Sequence, residues 1–312
     1  MESPEPTKIQ YTAPFDDEDA DLIIHSSDDI YFRVYRLFLR KASPVFADMF
    51  SIPTASDTLD TVQTVSVTED GKTMDALLRL CYPTNDPRVK TLDELSTLMN
   101  VCEKYMMDSV FGRLVRTNLA NFMTKEPIRV YAIACRAHAD QEAKQAAYHC
   151  LTKPLREILG YDTPEFQHIS VAAYRSLLEY HNTCRRTALY ALCDRDYNSS
   201  HCDQAFCWEF TYNSSNESDH TCGFVEYGWD QDGEFSPRVS RWWADLIEPL
   251  RRYLEHEAAP LALQLWDHVN YPRDLACEYC RSRYMDDLHV YFAGLVYAIE
   301  TKVRGVRLRL KY

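Results

Sequence analysis

The chain has 312 residues, of which 47 are acidic and 34 basic, giving a formal charge of −13. That balance argues against a phosphate backbone as the main partner, because nucleic-acid binding rests on clustered Lys and Arg that displace counterions. With 46% hydrophobic residues, including 21 Tyr, 13 Phe and 5 Trp, the chain can bury a core and accommodate two domains, and only the opening stretch reads as a loose tail.

From Asp17 the elements follow in close order. Leu22, Ile23 and Ile24 form a β-branched run closed by Ser26-Ser27-Asp28-Asp29, after which Ile30, Phe32 and Val34 alternate with Tyr31, Arg33 and Tyr35 at the strand period of two. This predicts a β-hairpin. Leu37, Phe38 and Leu39 come next, and Ser43 is placed to cap a helix whose first turn holds Pro44, with Val45, Phe46, Met49 and Phe50 on its apolar side. A polar connector, SIPTASDTLDT, leads to a strand over 62–67 and a helix ending at Tyr82-Pro83. Thr91 and Glu94 have capping-box spacing. Leu92, Leu95, Leu98, Met99, Cys102 and Tyr105 form one core stripe, and Val110, Leu114, Val115, Leu119 and Phe122 form the next.

Beyond these, Pro127 and Asp140 mark two further helix starts, and one longer helix is expected from about Ser170 to Leu192. Composition shifts between Asp194 and Pro237, where polar turns separate two aromatic runs, 205–210 and 224–229, that read as short strands. A Trp-rich helix from about Ser240 to Glu257, another near 260–268 and a last one ending near Arg304 follow. The closing KVRGVRLRLKY alternates Val306, Leu308, Leu310 and Tyr312 with Arg307, Arg309 and Lys311, which reads as a terminal strand with a solvated basic face.

The opening block resembles a BTB/POZ domain, in which an aspartate-led strand, a short turn, a Phe-x-Val strand and a Ser-Pro-Val-Phe…Met-Phe helical pair follow one another. Within that family the chain is most similar to the BTB proteins of mushroom-forming fungi, which share the SSD turn, ASPVFADMF, LLRLCYP and PIRVYAIACR. One position departs from the family: its usual histidine before the basic residue is Tyr35 here, an aromatic ring with a polar tip suited to a half-buried slot. The resemblance implies an α+β fold, with a small β-sheet flanked by helices over residues 15–125 behind a 1–14 tail. A helical extension over 126–193 and an aromatic- and Cys-containing region over 194–312 complete a mainly helical C-terminal half with a few short strands.

The resemblance further implies a protein-interaction module that forms a homodimer and binds other proteins. Leu37, Phe38, Val45, Phe46, Met49 and Phe50 are expected to supply the domain core and the self-association face. Asp19 and Arg36 match the charged pair that lines a groove near the family's dimer interface; otherwise they are an ordinary exposed ion pair. A cullin scaffold is a narrower partner, but where such adaptors carry an apolar-x-Glu motif this chain has Leu59-Asp60-Thr61.

Catalysis finds little footing. Glycine totals 8, well under the average of about 7%, and no phosphate loop, nucleophile elbow or HExxH occurs. The acidic run from Asp16 to Asp21 lacks the glycine and distal glutamate of a calcium loop and reads as a solvated lead into the first strand. Cys277 and Cys280 have the spacing of half a zinc site, with Cys202, Cys207, His220 or Cys222 as possible completing ligands, or are simply a pair of thiols. A structural zinc and a zinc- or thiol-dependent enzyme therefore stay open as alternatives to a chain with no cofactor. His181 and Cys184 share a helix face and read as core.

No run of about 18 apolar residues is present and MESPEPTKIQ lacks a signal core, so no membrane association is expected. Eleven cysteines, an odd number, suit reduced thiols in an intracellular setting, cytoplasmic or nuclear. Asn198, Asn213 and Asn216 match glycan acceptors by chance under that expectation.

Overall fold

The structure, a computed structural model, describes residues 9–10, 13–51, 62–193, 224–226, 238–257, 292 and 294–312. Contacts divide the chain into two compact units, Met1–Glu142 and Ala143–Tyr312.

In the first unit a four-stranded sheet has the order β1-β3-β2-β4. Strand β2 (Leu22–His25) pairs antiparallel with β3 (Ile30–Val34) and parallel with β4 (Gln63–Ser66), and the two-residue β1 (Ile9–Gln10) lies parallel to β3. The register sets Leu22 opposite Val34 and Ile24 opposite Phe32. All four are fully buried, so the period-two pattern puts one face of the hairpin into the core.

The hairpin turn is built from its own side chains. Ser26 Oγ donates to Asp28 Oδ1 at 2.6 Å and accepts from the Ile30 N–H at 2.9 Å, and Asp29 takes a left-handed φ of 63°. Short polar residues at such positions bond the local backbone and tolerate this conformation. Asp28 Oδ1 also accepts from the Gly71 N–H at 2.7 Å, tying the turn to the start of α3 (Gly71–Cys81).

After β3 come α1 (Arg36–Ala42) and α2 (Pro44–Met49). Ser43 stands between them in extended conformation, and its Oγ accepts from the Phe46 N–H at 3.1 Å, the expected cap with proline at the first helical position. The same hydroxyl donates to the Tyr105 carbonyl at 2.6 Å, at the end of α4 (Leu92–Lys104). Thr91 caps α4 through the Glu94 N–H at 3.2 Å, as its spacing predicts. Glu94 does not return the bond to Thr91; its carboxylate accepts from the Lys90 N–H and from Lys72 Nζ, each at 2.8 Å.

Both predicted core stripes are buried, the second running along α5 (Asp108–Asn118) and the 3-10 turn Leu119–Asn121. Helix α6 (Pro127–Arg136) joins the same unit: Arg129 pairs with Asp93 and Arg136 with Glu103, each at 2.6 Å. The first compact unit therefore extends past residue 125.

In the second unit α7 (Asp140–Cys150) is followed by the short α8 (Leu155–Leu159) and by α9 (Val171–Cys193), the longest of the described helices. Ala173, Leu177, Tyr180, His181, Cys184 and Ala188 form its buried stripe, so the pair at His181 and Cys184 is core. His181 Nε2 lies 2.8 Å from the Lys153 carbonyl, and burial lowers the imidazole's pKa. Strands β5 (Phe224–Glu226) and β6 (Arg238–Ser240) pair antiparallel. The partner of the 224–229 run is thus a segment next to the Trp-rich helix, while the 205–210 run and the helix expected near 260–268 lie outside the described residues.

The Trp-rich segment forms α10 (Arg241–Arg252), then widens into a π turn at Tyr253–Glu257. There the Arg185 guanidinium donates to the Leu254 and Glu255 carbonyls, satisfying acceptors at the helix end. The last described helix, α11, spans 294–305, and residues 306–312 run on without a ladder partner among the described residues. The terminal alternation survives as burial: Leu308 is 9% exposed while Arg307, Arg309 and Lys311 face solvent. Among the described residues the segment expected as a terminal strand has no ladder partner and belongs to neither sheet.

Candidate interaction surface

The six residues expected to serve core and self-association separate by depth. Phe46 is fully buried and belongs to the core alone; its ring stacks on Tyr105 at 4.5 Å and on Phe50 at 5.7 Å. Leu37 is 62% exposed, an outlying value for a leucine in a helix of this small domain. Phe38, Val45, Met49 and Phe50 are half-buried, each with part of its apolar surface still open. Helices α1 and α2 thus turn Leu39 and Phe46 inward and leave a partly apolar outer side. Unburied apolar side chains on short helices seat a partner well, because their area leaves water on contact.

Arg36 begins α1. Its backbone N–H donates to Asp21 Oδ1 at 2.7 Å, its Nε to the Asp21 carbonyl at 3.2 Å, and its guanidinium carbon lies 5.7 Å from the centre of the Phe50 ring. Asp19 does not meet Arg36 among the described residues; its N–H donates to Asp17 Oδ1 at 3.0 Å. Arg36 instead meets Asp21, whose carboxylate takes the Arg36 backbone N–H and whose carbonyl takes the guanidinium, and no side-chain ion pair joins the two among the described residues. A carboxylate on the unpaired N–H at a helix start satisfies an orphan donor and favours the macrodipole, which an ion pair through Asp19 would not do.

Tyr35, standing where the resembling family has histidine, is the residue before α1. Its hydroxyl donates to Asp17, and its backbone N–H donates to the Tyr82 hydroxyl at 2.6 Å. The hydrogen bond to the Asp17 carboxylate pushes the Tyr35 phenol up to about 12 and holds Asp17 below the ordinary carboxylate range. Tyr82 is pushed up to about 12 by burial. Within the opening acidic run, the carboxylates of Asp17 and Asp21 are thus spent on local hydrogen bonds.

Behind this surface is a latch that the sequence pattern did not reveal. Glu69 is 8% exposed at its side chain and accepts from Lys104 Nζ at 2.5 Å and from the Tyr105 hydroxyl at 2.8 Å. Burial pushes its carboxyl up, yet the bonds from Lys104 and Tyr105 outweigh that and hold it below its ordinary value. Its backbone carbonyl accepts from the Ser27 N–H at 2.9 Å. Glu69 therefore joins the hairpin turn to the end of α4, whose Tyr105 in turn supports Phe46.

The described cysteines are packed thiols. Burial pushes Cys81, Cys102 and Cys184 up to about 12 and Cys135 up to about 11, which leaves them protonated and poor nucleophiles. Cys202, Cys207, His220, Cys222, Cys277 and Cys280 lie outside the described residues. Among the described residues there is no cluster suited to a metal ion and no helix long and apolar enough to cross a membrane.

No curated protein matches the chain. The family model of the BTB/POZ domain matches residues 13–118, a span that opens just before the core residue Phe15 and closes at the end of α5. BTB/POZ domains are protein–protein interaction modules, often self-associating or serving as cullin adaptors, and as a family are generally not enzymes. The strand order, the serine-capped helical pair and this match agree: the chain carries an N-terminal BTB/POZ domain, followed by a mainly helical region.

Proposed function

We propose that this protein self-associates through the outer side of α1 and α2 and recruits another protein through its C-terminal region. The observation that carries the first half is the exposure of Leu37 beside half-buried Phe38, Val45, Met49 and Phe50 in a domain of the interaction class. A two-fold contact places the same patch on both partners, so each exposed apolar side chain counts twice. Arg36 and Asp21 at the start of α1 give that contact a charged rim. The finer likeness, to fungal BTB proteins, rests on the shared segments alone, and an intracellular setting on the reduced-thiol composition.

Sedimentation velocity at about 10 μM, a concentration at which interfaces of standard size are populated, tests it. The wild-type chain sediments as a dimer and Leu37→Asp as a folded monomer that melts cooperatively, with any loss of melting temperature no greater than the lost dimer accounts for. A monomeric wild type removes the reading. The narrower role of cullin adaptor is tested by pull-down with a cullin scaffold; Leu59-Asp60-Thr61, which lies outside the described residues, lacks the glutamate such adaptors carry.

A further inference from the structure

The second unit contains a cleft of about 610 Å³ between α7, α9, α11 and the closing stretch of chain. Lys144, His149, Arg304 and Arg307 line it, Tyr180 and Leu308 contribute apolar surface, and no carboxylate is among its lining residues. In a chain of net charge −13 this is a local excess of positive charge, of the kind that selects an anionic partner. Arg304 is steadied from within, by the Tyr148 hydroxyl at 3.4 Å and Glu300 at 3.5 Å. Lys144 and Arg307 have no carboxylate partner among the described residues.

A second observation concerns the backbone. After the Val306 N–H bonds the Val303 carbonyl at 3.0 Å, the chain leaves α11 and continues outside any helix or ladder among the described residues. Burial alternates along it with the period of a strand, Leu308 buried, Val306 and Leu310 half-buried and Arg307, Arg309 and Lys311 exposed, and the main chain of Leu308–Leu310 makes no hydrogen bond among the described residues. A segment of strand period with free donors and acceptors is a template for one more strand.

We propose that this cleft binds an extended acidic peptide of a partner protein, paired along Leu308–Leu310 with its carboxylates on Lys144, Arg304 and Arg307. The inference rests on the recruitment half of the reading above and names its site and chemistry; self-association is not involved. A peptide suits the site better than a small anion, which would leave the apolar wall and the backbone edge unused. It also suits the site better than nucleic acid, which the chain's overall charge repels.

The test uses the full chain and fluorescence anisotropy. The probe is a fluorescein-labelled peptide of about ten residues alternating Glu with Val, long enough at ~3.3 Å per residue to span the edge. We expect saturable binding, at least about tenfold weaker for the same peptide with Gln in place of Glu and for the double variant Lys144→Glu/Arg307→Glu. Leu308–Leu310 amide exchange slows when the peptide is bound. No binding up to about 1 mM overturns the proposal; so do equal affinity for the Gln peptide, an unaffected double variant, tighter binding of oligothymidylate, or complete displacement by inorganic phosphate. Sedimentation of the same samples separates the failures: a dimer that ignores the peptide sinks this inference alone, whereas a monomer sinks self-association whatever the peptide does.

Discussion

Phe46 and Tyr105 lie nearly parallel, with ring centroids 4.5 Å apart and planes 13° from coplanar. The contact joins α2 to the end of α4, and the Ser43 hydroxyl on the Tyr105 carbonyl doubles it. Phe46→Ala leaves a cavity at a fully buried site, so a loss of about 3–5 kcal/mol is expected in urea unfolding. Leu37→Asp, at an exposed site, should stay within about 0.5 kcal/mol when both chains are unfolded at a dilution where the wild type is monomeric. The pair distinguishes residues that hold the domain together from those that face outward.

Glu69→Gln should cost about 1–3 kcal/mol, since it weakens two hydrogen bonds at a nearly covered carboxylate. The carboxyl's folded-state pKa lies below its ordinary value of 4.5. Its stabilisation is therefore fully present above 4.5 and is lost as pH falls through the folded value. Unfolding measured from pH 6 down to about 3 should show a shallower acid decline in the variant than in the wild type.

Gly71 opens α3 hard against Ile30. A Cβ there would come within 2.3 Å of Ile30 Cδ1 and 3.1 Å of its Cβ and Cγ1. Gly71→Ala is expected to destabilise by about 1–3 kcal/mol through overpacking. Ile30→Val removes the nearest atom, so the double variant should recover part of that loss, a coupling a thermodynamic cycle reads directly.

Tyr82→Phe removes the acceptor for the Tyr35 N–H at 2.6 Å and should cost about 1–2 kcal/mol. In alkaline absorbance titration Tyr35 and Tyr82 should ionise late, near 12. Because both are raised, the stability they carry is present below the ordinary value of 10 and is lost as pH rises through about 12. Tyr35→Phe should remove one late step and raise Asp17 toward its usual range.

What the sequence made legible was local. The hairpin, the caps at Ser43 and Thr91, and the stripes along α4 and α5 all follow from residues within a few positions of one another, where periodicity and turn chemistry operate. The partners of Arg36 and Glu69 depend on residues brought together by the fold. Asp21 replaced Asp19 because it reaches an orphan N–H, and Lys104 lies 35 residues from Glu69. No spacing rule encodes such a pair. The terminal alternation encodes one side more buried and one solvated, but period two reports burial and does not reveal whether a neighbouring strand exists. Likewise, the sequence pattern groups the six apolar residues of α1 and α2 together, and their division into inside and outside depends on the packing of Phe46 on Tyr105.

The parallel pairing of β2 with β4 has a kinetic corollary. Ile24 and Val65 face each other across the ladder, and the chain must complete the whole α1–α2 excursion before they can meet. The β2–β3 ribbon can zip within microseconds of leaving the ribosome, whereas the last edge waits on loop closure. During synthesis, β2 therefore spends an interval with one side unpaired, and a second nascent copy nearby has its best opportunity then to engage the wrong strand.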